Sequence, residues 1–182
     1  MRKILIGLGN PGPEYENTYH NAGALAIEKI ADTLSLEAGK TSKKASPLFS
    51  FREIGMPNGD CFIFVRPKTF MNKSGLAVKS ALNYFSAQPS EIVVFHDDSD
   101  LPLGTARISE SPNFAGHRGL ISVKNETGVS AFKRVRIGIR NPEEKVRKKA
   151  EEFVLKNISK AKMSLLLGES LGASWPKVLG MS

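Results

Sequence analysis

Three short, unbroken apolar runs constrain the fold of this chain more than any other feature: KILIGL from Lys3, CFIFV from Cys61 and EIVVF from Glu91. Each is too short for a buried helix. With apolar side chains at odd and even positions alike, each reads as a strand covered on both faces. Between them lie stretches with helical spacing. From Asn21 onward Ile27, Ile30, Ala31 and Leu34 recur on one face, and after Ser74 so do Val78, Ala81, Leu82 and Phe85. A further strand, RVRIGI, alternates Val135, Ile137 and Ile139 with Arg134, Arg136 and Gly138, which directs one face to the core. A last helix is predicted from Ser159 to Leu171, burying Met163, Leu166 and Leu167. Strand and helix in alternation predict an α/β fold: a single three-layer domain over residues 1–182, with a twisted, mostly parallel or mixed central sheet flanked by helices. No internal repeat or linker interrupts it.

Such a sheet says where chemistry belongs. Sites in open α/β folds gather beyond the carboxyl ends of the strands, where loops converge on a rigid frame. After KILIGL come Gly9, Asn10, Pro11 and Gly12; after CFIFV come Arg66 to Asn72; after EIVVF come His96, Asp97 and Asp98. Each run therefore ends in polar groups.

Charge narrows the partner. The formal net charge is +8, and residues 131–162 hold eleven Lys or Arg against four Glu, a net of +7. A cationic surface concentrated in this way suits a polyphosphate, which is bound with release of counterions. The competing reading is a solvated face with no partner. No apolar stretch approaches the roughly 20 residues of a membrane span, and the chain begins without a cleavable apolar leader, so a cytoplasmic protein is expected. The one cysteine, Cys61, sits in an apolar run and is expected to be a buried thiol. Three histidines and one cysteine lack ligand spacing, so no metal is expected.

The histidines, His20 in TYHNAG, His96 in HDDSDLPLG and His117 in AGHRGL, all lie off the apolar periodicities. A lone loop histidine is usually structural. A carboxylate at a strand end changes that, because it can fix one ring nitrogen and leave the other to take a proton from water, and imidazole titrates at about 6.5. Loop asparagines are usually turn formers. Asn10, Asn21 and Asn72 also offer uncharged donors for an oxygen that gains negative charge.

The blocks IGLGNPGPEY, T-x-HNAG, PKTFMNKSG, HDDSDLPLG, AGHRGL and RVRIGI resemble, in order and spacing and over nearly the whole chain, those of bacterial-type peptidyl-tRNA hydrolases. The resemblance implies a cofactor-free, monomeric α/β esterase (EC 3.1.1.29) that cuts a peptide from the 3′ ribose of a tRNA. It implies that His20 is the general base, that Asp97 orients it, and that Asn10 contacts substrate beside the cleaved ester. Tyr15, Asn21, Phe70, Asn72, His117 and Arg118 then fall on the substrate and tRNA side. Two positions depart from the family pattern. Arg118 stands where relatives usually carry Asn in GHNGL; arginine offers only donors and a permanent charge, which predicts altered activity and a grip on a phosphate. Tyr19 stands where many relatives have Arg, and its side chain is expected to point away from His20.

Two motif matches fail on context. GLGNPG fits G-x-G-x-x-G, but a polar loop follows it rather than a helix, and Asp32 falls inside the first predicted helix. GESLG fits a nucleophile elbow, but all three histidines precede Ser170, against the order that mechanism needs. The competitor from another class is a non-catalytic RNA-binding relative of the same fold.

Overall fold

The predicted runs form the middle of a seven-stranded mixed sheet in the computed structural model, which describes residues 1–129, 131–143 and 149–180. The strands are β1 (Arg2–Gly7), β2 (Lys40–Ala45), β3 (Phe49–Gly55), β4 (Cys61–Pro67), β5 (Ile92–Pro102), β6 (Ala106–Ser109) and β7 (Lys133–Arg140), in the order β2-β3-β4-β1-β5-β7-β6. β4, β1, β5 and β7 are mutually parallel, whereas β2, β3 and β6 pair antiparallel at the two edges. The helices are α1 (Ala22–Ser35), α2 (Ser74–Tyr84), α3 (Arg118–Thr127), α4 (Lys160–Leu166) and α5 (Glu169–Leu179).

Alternation along β1 explains the three layers. Leu5 joins Phe62, Phe64, Val93 and Phe95 on the face covered by α1, α4 and α5. Ile4 and Ile6 join Ile63, Val65 and Val94 on the face covered by α2 and α3. The α1 stripe of Ile27, Ile30, Ala31 and Leu34 is buried as its spacing predicts, each large aliphatic contributing about 1.5–3 kcal/mol. α1 also lies unusually close to the sheet: a Cβ at Gly23 would collide with the carbonyl oxygen of Phe95 on β5. That approach sets the turn before α1 directly over the carboxyl ends of β1 and β5.

Several expectations need correction. The last helix breaks at Leu167 and Gly168 into α4 and α5, with Leu166 buried but Met163 and Leu167 only partly so. Ser170, in the GESLG match, begins α5 and accepts a hydrogen bond from the Ala106 N–H, which is a structural task. Cys61 is half-buried rather than buried, at the open end of β4, with Glu53 near its sulfur. β7 is covered on both faces, and Arg134 is among its buried residues. The cationic stretch 131–162 is thereby partly committed within the fold: Arg136 pairs with Asp98 at 2.7 Å and Lys133 with Glu110 at 3.4 Å, while Lys145, Arg147 and Lys148 lie outside the described residues.

Candidate active site

The carboxyl ends of β1 and β5 open into a cleft of about 730 Å³, whose lining includes Asn10, His20, Phe70, Asn72, Asp97, His117 and Arg118. His20 enters on a short 3₁₀ turn, Tyr19–Asn21, that runs straight into α1. The turn is tied down from behind: the His20 N–H donates to the Val154 carbonyl at 2.8 Å, the Tyr19 N–H donates to that of Lys156, and Thr18 forms a bridge with Asn157. Tyr19 points away from the cleft, as expected, and packs edge-on against Phe153.

Asp97 is the hub. Its Oδ1 lies 2.9 Å from His20 Nδ1 and 2.9 Å from His117 Nε2, and its Oδ2 lies 3.0 Å from His20 Nδ1. The tautomers follow from the donors around them. The Leu120 N–H donates to His117 Nδ1 at 3.3 Å, capping α3, so the His117 proton sits on Nε2 and faces Asp97. His20 likewise presents Nδ1–H to the carboxylate, which leaves its Nε2 lone pair for a proton from water. Burial works against the charged form of His20, but the attraction of Asp97 and its hydrogen bond outweigh it, and Arg118 opposes; the net effect is a pKa above the ordinary value. Burial also works against the Asp97 carboxylate, yet the two histidines hold its pKa well below the usual range.

His20, Asp97 and His117 offer ligand atoms within 4.8 Å of one another, so the fold gathers a cluster that their spacing in sequence concealed. The Leu120 N–H, however, requires a proton on the His117 nitrogen that faces Asp97, and a cation there would have to displace it. The geometry is that of a carboxylate hydrogen-bonded to two imidazoles.

The asparagines divide. Asn10 Oδ1 accepts from the Met71 N–H at 2.7 Å, which orients the amide and turns Nδ2 into a donor with no partner among the described residues. Asn72 is exposed on the cleft lip. Asn21, expected on the substrate side, does not line the cleft: it is fully buried, its Oδ1 accepting from the Asn10 N–H at 2.8 Å and its Nδ2 donating to the Asn10 carbonyl at 3.0 Å. Asn21 holds Asn10. Replacing it with alanine leaves two buried main-chain groups unpaired, so Asn21→Ala is expected to cost about 2–4 kcal/mol in urea unfolding and to lower kcat through Asn10.

Phe70 projects from the lip, 53% exposed, and meets Tyr15 edge-on at 6.2 Å, so Tyr15 borders the cleft through Phe70 without lining it. Arg118 stands at the mouth and reaches across to Glu151 at 3.2 Å, both side chains being exposed. Glu151, Val154 and Leu155 form a wall that no motif announced, because their segment reads as an ordinary charged stretch. His96 is only 2% exposed at the floor of the cleft, and burial first, then His117 and Arg134 against the opposing Asp97, push its pKa well below the ordinary value.

The family model of peptidyl-tRNA hydrolase matches residues 4–175. Relatives bearing that name include those of Geobacter metallireducens, 37% identical over 162 residues (89% of this chain, 79% of the relative), and Brevibacillus brevis, 40% identical over 141 residues (78% and 72%). Among solved structures, the peptidyl-tRNA hydrolase of Acinetobacter baumannii is similar with a TM-score of 0.79 and 31% identity, over 98% of this chain and 89% of that one.

Proposed function

The chain belongs to the peptidyl-tRNA hydrolase family, and on that premise we propose how its cleft hydrolyses the ester joining a peptide to the 3′ ribose of a tRNA. His20 Nε2 takes a proton from water as the water oxygen attacks the ester carbonyl. Asp97 fixes the ring and stabilises the imidazolium, and its 2.9 Å contact with His20 is the observation that carries this reading. Asn10 Nδ2 and the Asn72 amide hold the oxyanion. As the tetrahedral intermediate collapses, the imidazolium returns its proton to the ribose oxygen, giving a free peptide acid and a tRNA with an intact 3′ hydroxyl.

Phe70 with Tyr15 supports the substrate at one lip, and Arg118 faces the RNA at the other. His117 acts as the second donor to Asp97 rather than as a contact to substrate. A monomer acting alone is part of this proposal, and no helix among the described residues is long and apolar enough to cross a membrane. A substrate made in translation supports a cytoplasmic location. The test is release of a blocked amino acid from tRNA by the purified protein. Turnover supports the reading, whereas tight RNA binding without turnover would restore the non-catalytic alternative.

Arg118 gives a separate prediction. Arg118→Asn removes a cation from the mouth, so KM is expected to rise about fivefold and the log–log salt slope of tRNA binding to weaken by about one. Arg118 also lowers the His20 pKa, so its loss moves the acid limb of the rate profile to higher pH. Kinetics and affinity identical to wild type would rule out the phosphate contact.

A further inference from the structure

Arg134 has the largest fully buried side chain in the described protein, 2% exposed. A guanidinium withdrawn from water ordinarily takes a carboxylate. Among the described residues, Arg134 is hydrogen-bonded to none. Its Nη1 donates to His96 Nε2 at 3.2 Å; its Nη2 donates to the carbonyls of Ser111 at 2.8 Å and Asn113 at 3.0 Å, with Ser109 Oγ at 3.5 Å. Its Nε has no partner among the described residues, and its guanidinium carbon lies over the Phe114 ring, 5.2 Å from the centroid. Burial, reinforced by Arg136 and opposed by Asp98, lowers its pKa. An arginine kept under these conditions works against stability, and its contacts show what it holds in return.

One contact sets a tautomer. A guanidinium only donates, so His96 Nε2 must be bare and the His96 proton must sit on Nδ1. That proton points at the Asp97 carbonyl oxygen, 2.7 Å away. The other tautomer would set N–H against N–H at Arg134 and lone pair against lone pair at Asp97. The Asp97 main chain is therefore clamped from below by His96, while its carboxylate is held from above by His20 and His117.

The remaining contacts hold a strained loop. Phe114 leads to His117 through Ala115 and Gly116, both left-handed, with φ of 47° and 75°. For alanine that conformation costs about 1–2 kcal/mol, so the turn needs an anchor on its approach. Arg134 supplies it at Ser111, Asn113 and Phe114, three residues from the histidine that donates to Asp97.

We infer that Arg134 is a positioning residue for the hydrolysis: through His96 it fixes the Asp97 main chain, and through the 109–114 segment it delivers His117 to the Asp97 carboxylate. The inference rests on the reading of Asp97 and His20 as the catalytic pair. Arg134 does not itself line the cleft, so its loss should act on kcat more than on binding.

Two variants test it in the intact protein. Arg134→Met removes every donor. Arg134→Lys keeps a charge and a donor for His96 but cannot also hold both loop carbonyls in the plane of a fork. With folding checked by circular dichroism, Arg134→Met is expected to lose about a hundredfold in kcat, the scale of an ångström-sized misplacement, with KM for a blocked aminoacyl-tRNA within about twofold of wild type. 1H–15N spectra of the histidine rings should show the His117 Nε2–H held by Asp97 as one sharp signal in wild type and as a broadened or shifted one in Arg134→Met, whose 109–114 segment has lost its anchor. His96 should stay in the Nδ1–H form, because the Asp97 carbonyl still accepts that proton, while its Nε2 resonance moves with loss of the Arg134 donor. Arg134→Lys should keep the His96 signals and recover part of kcat. Unchanged kcat in Arg134→Met would overturn the inference, as would a rate loss with the His117 signal as in wild type. If Arg134→Met does not fold, Arg134→Lys decides alone: reduced kcat with a disturbed His117 signal supports the role, and wild-type kcat refutes it. The signals are read without turnover, so an error in the catalytic assignment would show separately, as activity surviving in a His20 variant.

Discussion

His20→Ala is expected to lower kcat by about 10²–10⁴-fold at neutral pH, the range that a positioned general base supplies, while tRNA affinity changes little. The two readouts part because the His20 ring is mostly enclosed, only 15% exposed, and its outward atom is a single nitrogen that serves water rather than phosphate. The truncated side chain leaves a gap beside the cleft with Asp97 at its floor and an acceptor oxygen facing it. Added imidazole can occupy that gap and should restore part of the rate in proportion to its neutral form. Single-turnover release from a blocked aminoacyl-tRNA, with and without imidazole, is the measurement. A wild-type rate in His20→Ala would end the assignment of the base. Loss of one partner also leaves Asp97, still buried, with His117 alone, so the variant should be less stable than wild type at neutral pH.

That pair was legible in the sequence only in part. Continuous apolar runs marked β1, β4 and β5, because a strand covered on both faces leaves no polar position, and the polar residues after each run located the cleft. β2 was hidden for the opposite reason: KTSKKA is an exposed edge strand held by pairing with β3, and nothing in its side chains alternates. α3 escaped because its buried set is small (Gly119, Leu120, Ser122 and Val123) and its cap is a histidine rather than a usual Ser, Thr, Asp or Asn. Within the site, individual residues proved less legible than blocks. Asn10 and Asn21 carry the same amide, yet one is turned toward the cleft and the other spends both ends on its neighbour. Arg134 and Arg136 sit two apart in one strand, one enclosed without a carboxylate and one paired to Asp98. Alternation alone cannot tell a solvent face from one roofed by a loop. The hub at Asp97 has the same origin, since it joins segments 20, 97 and 117 that meet only in three dimensions.

Asp97→Asn is expected to be nearly as damaging, lowering kcat by about 10²–10⁴-fold while keeping volume and shape, because it disturbs the proton on His20 rather than the ring itself. His117 cannot adapt: the Leu120 N–H occupies its Nδ1, so its Nε2–H continues to require an oxygen, and the new amide must turn its carbonyl oxygen toward it. The NH₂ of that amide then takes the place of the Asp97 Oδ2, 3.0 Å from His20 Nδ1, beside the shared oxygen that stays 2.9 Å from it. The neutral amide sets a donor next to the His20 Nδ1–H and no longer offsets the charge of an imidazolium. The Nε2–H tautomer of His20 therefore gains ground, and in it that nitrogen cannot accept a proton from water. The pH profile carries an independent signature. In the wild type Asp97 raises the His20 pKa against burial and Arg118, so the acid limb of kcat/KM should lie above the ordinary imidazole value of about 6.5. In Asp97→Asn only the lowering influences remain, so the limb should move to lower pH even as the plateau falls. Stability separates the two ionisations by sign. The depressed Asp97 pKa contributes stability above its unfolded value, lost as pH falls toward the folded one; the raised His20 pKa contributes stability in acid, lost as pH rises through its folded value. Removing Asp97 should therefore flatten the dependence of unfolding free energy on pH across the carboxylate range. A profile whose acid limb stays where it is in wild type would mean that Asp97 does not set the charge state of His20, whatever happens to the rate.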